Sequence, residues 1–348
     1  MTQHFTKYAV AAFALCVASV AQAQTVEQFY HGRTMTLIVP TSPGGINDIS
    51  GRLIARHLGN FLPGNPNIVV QNTPGGGGLV AANRLANTAE RDGSVVALIE
   101  RATPLVAIQG DPNAKFDPLK LSWIGSLSSF QDDAYLVVVN DQHPAKTGFD
   151  LVGKNMKLTL GGNQPGSTNL AFAYIAKNAL GLNIDVVRGY PGAAPMFLAM
   201  QRGELDGQII GYNSIRAGQP NLWNDKKVRP IVQFGRKTRL AAMPDVPTGR
   251  ELTKDPKMIA LLDFAEIPFY MALPFVAPPE LPADRKAALR KAFMEMAADN
   301  AFLADAEKVN LEISAITGEA VEKLLQQAAA TPRDVIDLYS KLASPPSN

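Results

Sequence analysis

Three glycine-bearing loops carry the residue types that could hold a ligand. The first reads Thr41-Ser42-Pro43-Gly44-Gly45-Ile46-Asn47-Asp48, the second is Gly75-Gly76-Gly77-Gly78, and the third spans residues 161–169 and ends Ser167-Thr168-Asn169. Glycine lets backbone amides approach an anion with no Cβ in the way. A helix that opens after such a loop points unpaired N–H groups and its positive dipole end at the same anion. Asn47 or Asp48 is expected to cap the helix after the first loop. The third loop has the G-x-x-x-x-G-S-T spacing of a nucleotide loop, but Ser167 stands where that motif needs lysine. Without that cation a triphosphate loses its charge partner, so the hydroxyls and amides suit a carboxylate better. The four-glycine run lacks the third, spaced glycine of a dinucleotide fingerprint, which leaves Gly77 open between a tight turn and a ligand contact.

Catalytic constellations are thin. There is no G-x-S-x-G elbow, and His31, His57 and His143 are scattered with none at metal-ligand spacing. No catalytic residue, no metal site and no cofactor is expected. Asp132 and Asp133 are sequence neighbours, and neighbours in an extended segment point to opposite faces, so solvated surface is the expected place for both. Tyr190, Tyr212 and Asn213 fall where strands end and helices begin, a position from which they could line a cleft.

The elements that must position these loops follow from the rest of the chain. It has 348 residues, is 46% hydrophobic and carries a formal net charge of +2. That length suggests about two domains, and the weak charge favours neither nucleic acid nor an anionic membrane as partner. At the start, Lys7, the apolar residues 9–20 and Ala21-Gln22-Ala23 read as a secretory signal peptide, with cleavage after Ala23. The apolar run is shorter than the roughly 20 residues of a membrane-spanning helix. The chain's only cysteine, Cys16, falls inside this segment, after Leu15 where a lipid-attachment signal wants a small residue. A soluble, cysteine-free mature protein in the periplasm is the expectation.

Beyond the signal, β-rich runs at residues 35–39, 68–71 and 95–99 alternate with helical spacing at 47–58 and 79–87. The rhythm resumes at 135–139, 156–160, 184–187, 208–211 and 228–234, with helices between. Alternation of this kind predicts parallel sheets covered on both faces, and two series imply two α/β domains. Residues 24–130 with 245–348 would form the first domain, including helices at 285–298, 301–309 and 318–342, and residues 131–244 the second. Residues 135–139 and 269–276 are expected to cross between them.

Four blocks in one order, MTLIVPTSPGGINDISGRLIARHL, IVVQNTPGGGGLVAANRLANTAERDGSVVAL, YPGAAPMFLAMQRGELDGQI and MPDVPTGREL, resemble the extracytoplasmic solute receptors of tripartite tricarboxylate transporters, also called the Bug family. The resemblance covers nearly the whole mature chain. It implies a type II periplasmic binding-protein fold, a monomer, that closes on a small organic carboxylate and delivers it to an integral-membrane permease. The ligand loops it implies are 41–48 and 167–170; with the other glycine loops and strand ends, the expected ligand residues are Thr41, Ser42, Gly44, Gly45, Asn47, Asp48, Gly77, Ser167, Thr168, Asn169, Gly192, Ala193 and Asn213. Thr41 replaces a common aromatic, Asn169 replaces a histidine, and Tyr190-Pro191-Gly192-Ala193-Ala194 lacks the lysine of Tyr-Lys-Gly-Gly-Ala. These departures bear on the distal half of the ligand. Two alternatives stand beside this reading: a receptor that signals to a membrane sensor, and a secreted hydrolase using Ser167.

Overall fold

The computed structural model describes residues 24–153, 156–163 and 167–344. The signal-peptide reading of residues 1–23, Cys16 included, lies outside them, as do Gln164, Pro165 and Gly166 of the third loop. Two sheets organise the described chain. The first contains β1 (Thr34–Val39), β2 (Asn67–Asn72), β3 (Val95–Leu98) and β4 (Ser122–Ser126). The second contains β5 (Tyr135–Asn140), β6 (Leu158–Gly162), β7 (Ile184–Arg188), β8 (Gly207–Gly211) and β9 (Val228–Phe234). The chain then returns to the first sheet through β10 (Pro274–Ala277) and β11 (Ile316–Thr317). Strand order is β11-β4-β10-β3-β1-β2 in one sheet and β7-β6-β8-β5-β9 in the other.

In each sheet the core is parallel, and the strand that arrives from the other domain is inserted antiparallel. β10 runs antiparallel to both β3 and β4, and β5 runs antiparallel to both β8 and β9. This is the expected two-domain α/β fold of periplasmic binding proteins. Apolar side chains fill both faces: Leu37 and Val39 of β1 join one core layer, with Phe275 and Phe293, while Ile38 joins the opposite layer with Ala81 and Leu85. Burial on two faces explains why such strands read as continuous apolar runs and not as alternating ones.

Two segments cross between the sheets, and they lie side by side. Leu127 N–H donates to Leu273 O at 3.1 Å, and Ala272 N–H donates to Ser128 O at 2.8 Å. The crossings are therefore short pieces, 127–134 and 271–273, and β5 itself, expected as a crossing, is an interior strand of the second sheet. The Arg236 guanidinium fastens the first crossing by donating to the carbonyls of Phe130, Gln131 and Asp133 at 3.0, 2.7 and 2.8 Å.

The helix Pro256–Tyr270 precedes the second crossing and packs into both domains, with Lys257 and Asp263 left exposed. Leu261, Leu262, Ala265 and Phe269 enter the second domain's core, while Phe264 and Ile267 enter the first domain's. Its one fully buried carboxylate, Glu266, accepts from Gly235 N–H at 3.0 Å, Arg250 Nη2 at 2.5 Å and Tyr270 Oη at 3.3 Å. Upstream, Gln233 bridges Thr248 in parallel, which lays residues near 248 against β9. The expected helix 318–342 is two helices, Gly318–Ala329 and Arg333–Leu342, because Pro332 has no N–H to continue the first. The second of them places Val335 in the second domain's core.

Candidate functional site

The carboxyl ends of the parallel strands face each other across a cleft of about 720 Å³. Ligands in open α/β sheets bind outside these strand ends. From the first domain, Thr41, Ile46, Asn47, Glu100, Arg101 and Glu312 line the cleft; from the crossings and the second domain come Phe130, Asp132, Asp133, Tyr135, Thr168 and Asn213.

Two helices open onto this space without a side-chain cap. Ile46–His57 begins after Gly45, and Thr168–Asn178 begins after Ser167; neither N-cap residue accepts a backbone N–H of its helix through its side chain. Their leading amides keep hydrogen-bonding capacity for a ligand. Asp48, expected as a cap, does something else. Its Oδ2 accepts from Gly44 N–H at 2.9 Å and Arg52 Nε at 3.0 Å, and its Oδ1 accepts from Asn72 Nδ2 at 2.9 Å. The carboxylate thus braces the loop from behind and leaves the helix terminus open. The hydrogen bond from Arg52, with those from Gly44 and Asn72, overcomes burial and lowers the Asp48 pKa to about 2.

The expected ligand residues divide. Thr41, Asn47, Thr168 and Asn213 line the cleft; Ser42, Gly44, Gly45, Asp48, Gly77, Ser167, Asn169, Gly192 and Ala193 are not among its walls. Thr41 Oγ1 is buried with no hydrogen-bond partner. Asn47 Nδ2 donates to Glu100 Oε1 at 2.6 Å. Asn169 is buried and points inward, its Oδ1 accepting from Asn163 N–H and Ser167 Oγ, both at 3.1 Å. Asn213 N–H donates to Asp133 Oδ1 at 3.1 Å, and its side-chain amide donates to Glu312 on the opposite lip. Gly192 and Ala193 begin the helix Ala193–Gln201, and Ala193 O accepts from Gln208 Nε2 at 3.3 Å. The four-glycine run has φ above zero throughout, and a Cβ on Gly78 would sit 2.8 Å from Glu100 Cγ. The run makes a close approach, and Gly77 O accepts from Thr103 Oγ1 at 3.5 Å.

The site also contains groups that sequence reasoning passed over. Asp133, expected on solvated surface, lines the cleft, and burial raises its pKa against the backbone N–H groups of Asn213 and Ala134. Burial likewise raises Glu100, opposed by Arg101 and Asn47, and raises Glu312, with Asp133 and Asp132 adding to it. Among the described residues, Arg101 is the one cation that lines the cleft. Its guanidinium lies 4.6 Å from the Phe269 ring centroid and 5.9 Å from that of Phe130. One signal could have found it: Arg101 stands two residues past the apolar run 95–99 at a strand's carboxyl end, before a helix start at Thr103.

Two α/β domains that turn their strand ends and uncapped helices toward one cleft define a bilobal solute receptor. Comparison with known proteins makes the class narrower. Residues 52–339 match the family described as "Tripartite tricarboxylate transporter family receptor", and the chain belongs to that family. It is similar to the "UPF0065 protein in gbd 5'region" of Cupriavidus necator, 29% identical over 251 residues that cover 70% of this chain and 71% of that protein. Among solved structures it is similar to a TctC solute binding protein from Polaromonas, TM-score 0.69 and 20% identity, covering 89% of this chain and 99% of the other. It is also similar to MatC from Rhodopseudomonas palustris with bound malate, TM-score 0.58 and 21% identity, covering 88% and 99%.

Proposed function

We propose that this protein is a periplasmic receptor that captures a small organic carboxylate between its two domains and delivers it to an integral-membrane permease. The observation that carries the reading is the pair of uncapped helix amino termini, one per domain, opening on a single cleft. Ile46 and Asn47 begin one of these helices and Thr168 the other. A carboxylate held by both termini interacts more strongly with the closed arrangement than with an open one, and that difference drives closure. The malate carried by a structural relative and the family membership support the ligand class. No helix among the described residues is long and apolar enough to cross a membrane.

A receptor gains stability RT ln(1 + [L]/Kd) from its ligand and returns it unchanged. Thermal melts with a panel of mono-, di- and tricarboxylates, each followed by chromatography of the added acid, test this. At least one acid is expected to raise Tm and to be recovered intact. No shift with any of them, or consumption of one, would sink the reading.

A further inference from the structure

Arg101 is out of place for a structural arginine. It is partly shielded at the cleft floor, and among the described residues no carboxylate, carbonyl or hydroxyl accepts a hydrogen bond from its guanidinium, nor does any ion pair include it. An arginine has five donors in a fixed fork that matches a carboxylate in two parallel bonds. Here the fork is stacked on Phe269 and Phe130, so the plane is held and its ordering cost is already met before an anion arrives. Contact with these rings uses none of the N–H donors, and Arg101 lines the wall of the cleft.

Among the described residues, the other charged groups that line the cleft are acidic. Glu100, Asp132, Asp133 and Glu312 share the cleft with this single guanidinium. Ionised carboxylates accept hydrogen bonds and donate none. They repel a second anionic group on the ligand and welcome N–H or O–H donors. We propose that Arg101 joins the two helix amino termini in holding the ligand's one carboxylate, and that the facing acids restrict the ligand to a monocarboxylate whose far end carries hydrogen-bond donors, neutral or cationic. The inference rests on the carboxylate-receptor reading and narrows it: one anionic subsite at the hinge, one donor-seeking subsite at the lips near Asn213.

Three four-carbon acids of matched length test it: 4-aminobutyrate, the monoamide succinamate, and the dianion succinate, titrated by calorimetry at neutral pH into the full mature chain. Affinity is expected to fall in that order, with succinate at least tenfold behind the first. A charged hydrogen bond contributes about 1.5–3 kcal/mol, so Arg101→Met should weaken the best of the three by about 10- to 100-fold. Arg101→Lys, which keeps the charge but loses the fork, should recover part of the loss. Should Arg101→Met lose its fold, Asp133→Asn gives an independent readout, since the amide oxygen can still accept from Asn213 and Ala134. That change should raise succinate affinity relative to 4-aminobutyrate.

The outcomes separate. Succinate binding best, with unchanged affinity in Arg101→Met or no change of preference in Asp133→Asn, overturns the Arg101 assignment and leaves the carboxylate receptor standing. Failure of all three acids, together with malate, adipate and citrate, to bind the wild-type chain overturns both.

Discussion

The Thr41 hydroxyl is buried without a partner on a wall of the cleft, an arrangement that costs free energy unless something bound completes it. Thr41→Val keeps the shape and removes the unmet group. The variant should melt at the same temperature as the wild type or higher, by about 1 kcal/mol of stability, while carboxylate affinity falls about tenfold. Equal affinity in calorimetry would mean the hydroxyl does not reach the ligand.

Asp48 makes a different kind of claim, about pH. Its folded pKa of about 2 lies below the ordinary 3.8, so its contribution to stability is complete above that ordinary value and is lost as pH falls toward about 2. The gap in Tm between wild type and Asp48→Asn should therefore shrink across that window, and parallel melting curves would contradict it. Residue types alone suggested that Asp48 belonged to the loop, because an acid in a helix's first turn is favoured. They did not reveal that it reaches backward to Gly44. Arg101 was harder still: apart from its place after a strand, nothing local separates an arginine stacked on Phe269 from one in solvent, since Phe130 and Phe269 are distant in sequence.

Elements were the more legible scale. β-rich runs and glycine loops announced eight of the strands: interior ones such as β1 and β5 are buried on two faces and apolar with little interruption, and the edge strands β2 and β7 keep β-branched residues. β4, Ser122–Ser126, escaped because its Ser and Gly lower its β character, although every one of its residues is buried. Gly125 is needed there: a Cβ would meet Phe293 Cε1 at 2.4 Å. The helix Pro256–Tyr270 escaped for the opposite reason, since an element that packs into two cores shows little amphipathic period, and Pro268 sits inside it.

The helix Thr168–Asn178 carries a prediction at this scale. Ser167 has φ of −76°, which a proline ring accepts, so Ser167→Pro should fold. It removes the Ser167 N–H and hydroxyl beside the cleft, and carboxylate binding should weaken well over tenfold. Unchanged affinity by calorimetry would take this loop out of the site.

At the scale of the molecule, the paired crossings and the shared helix tie the domains together. The hydrogen bonds between Leu127 and Leu273 and between Ser128 and Ala272 place both segments in one hinge, with Arg101, Phe130 and Tyr135 beside it on the cleft floor. A ligand bound to Arg101, as proposed above, would touch the pivot itself, where a small displacement is amplified at the lips.

The insertion of β10 between β3 and β4 also sets an order in time. The second sheet is built from one continuous stretch, residues 135–234, and can be completed as soon as that stretch is present. The first sheet stays in two pieces, because β3 and β4 have no pairing with each other until Pro274–Ala277 arrives between them. Long-range closure of that kind is slow. In refolding followed by pulsed hydrogen exchange, amides of β5, β6 and β8 should gain protection before those of β4 and β10, and simultaneous protection would refute this. The amino-terminal domain is thus made first and finished last.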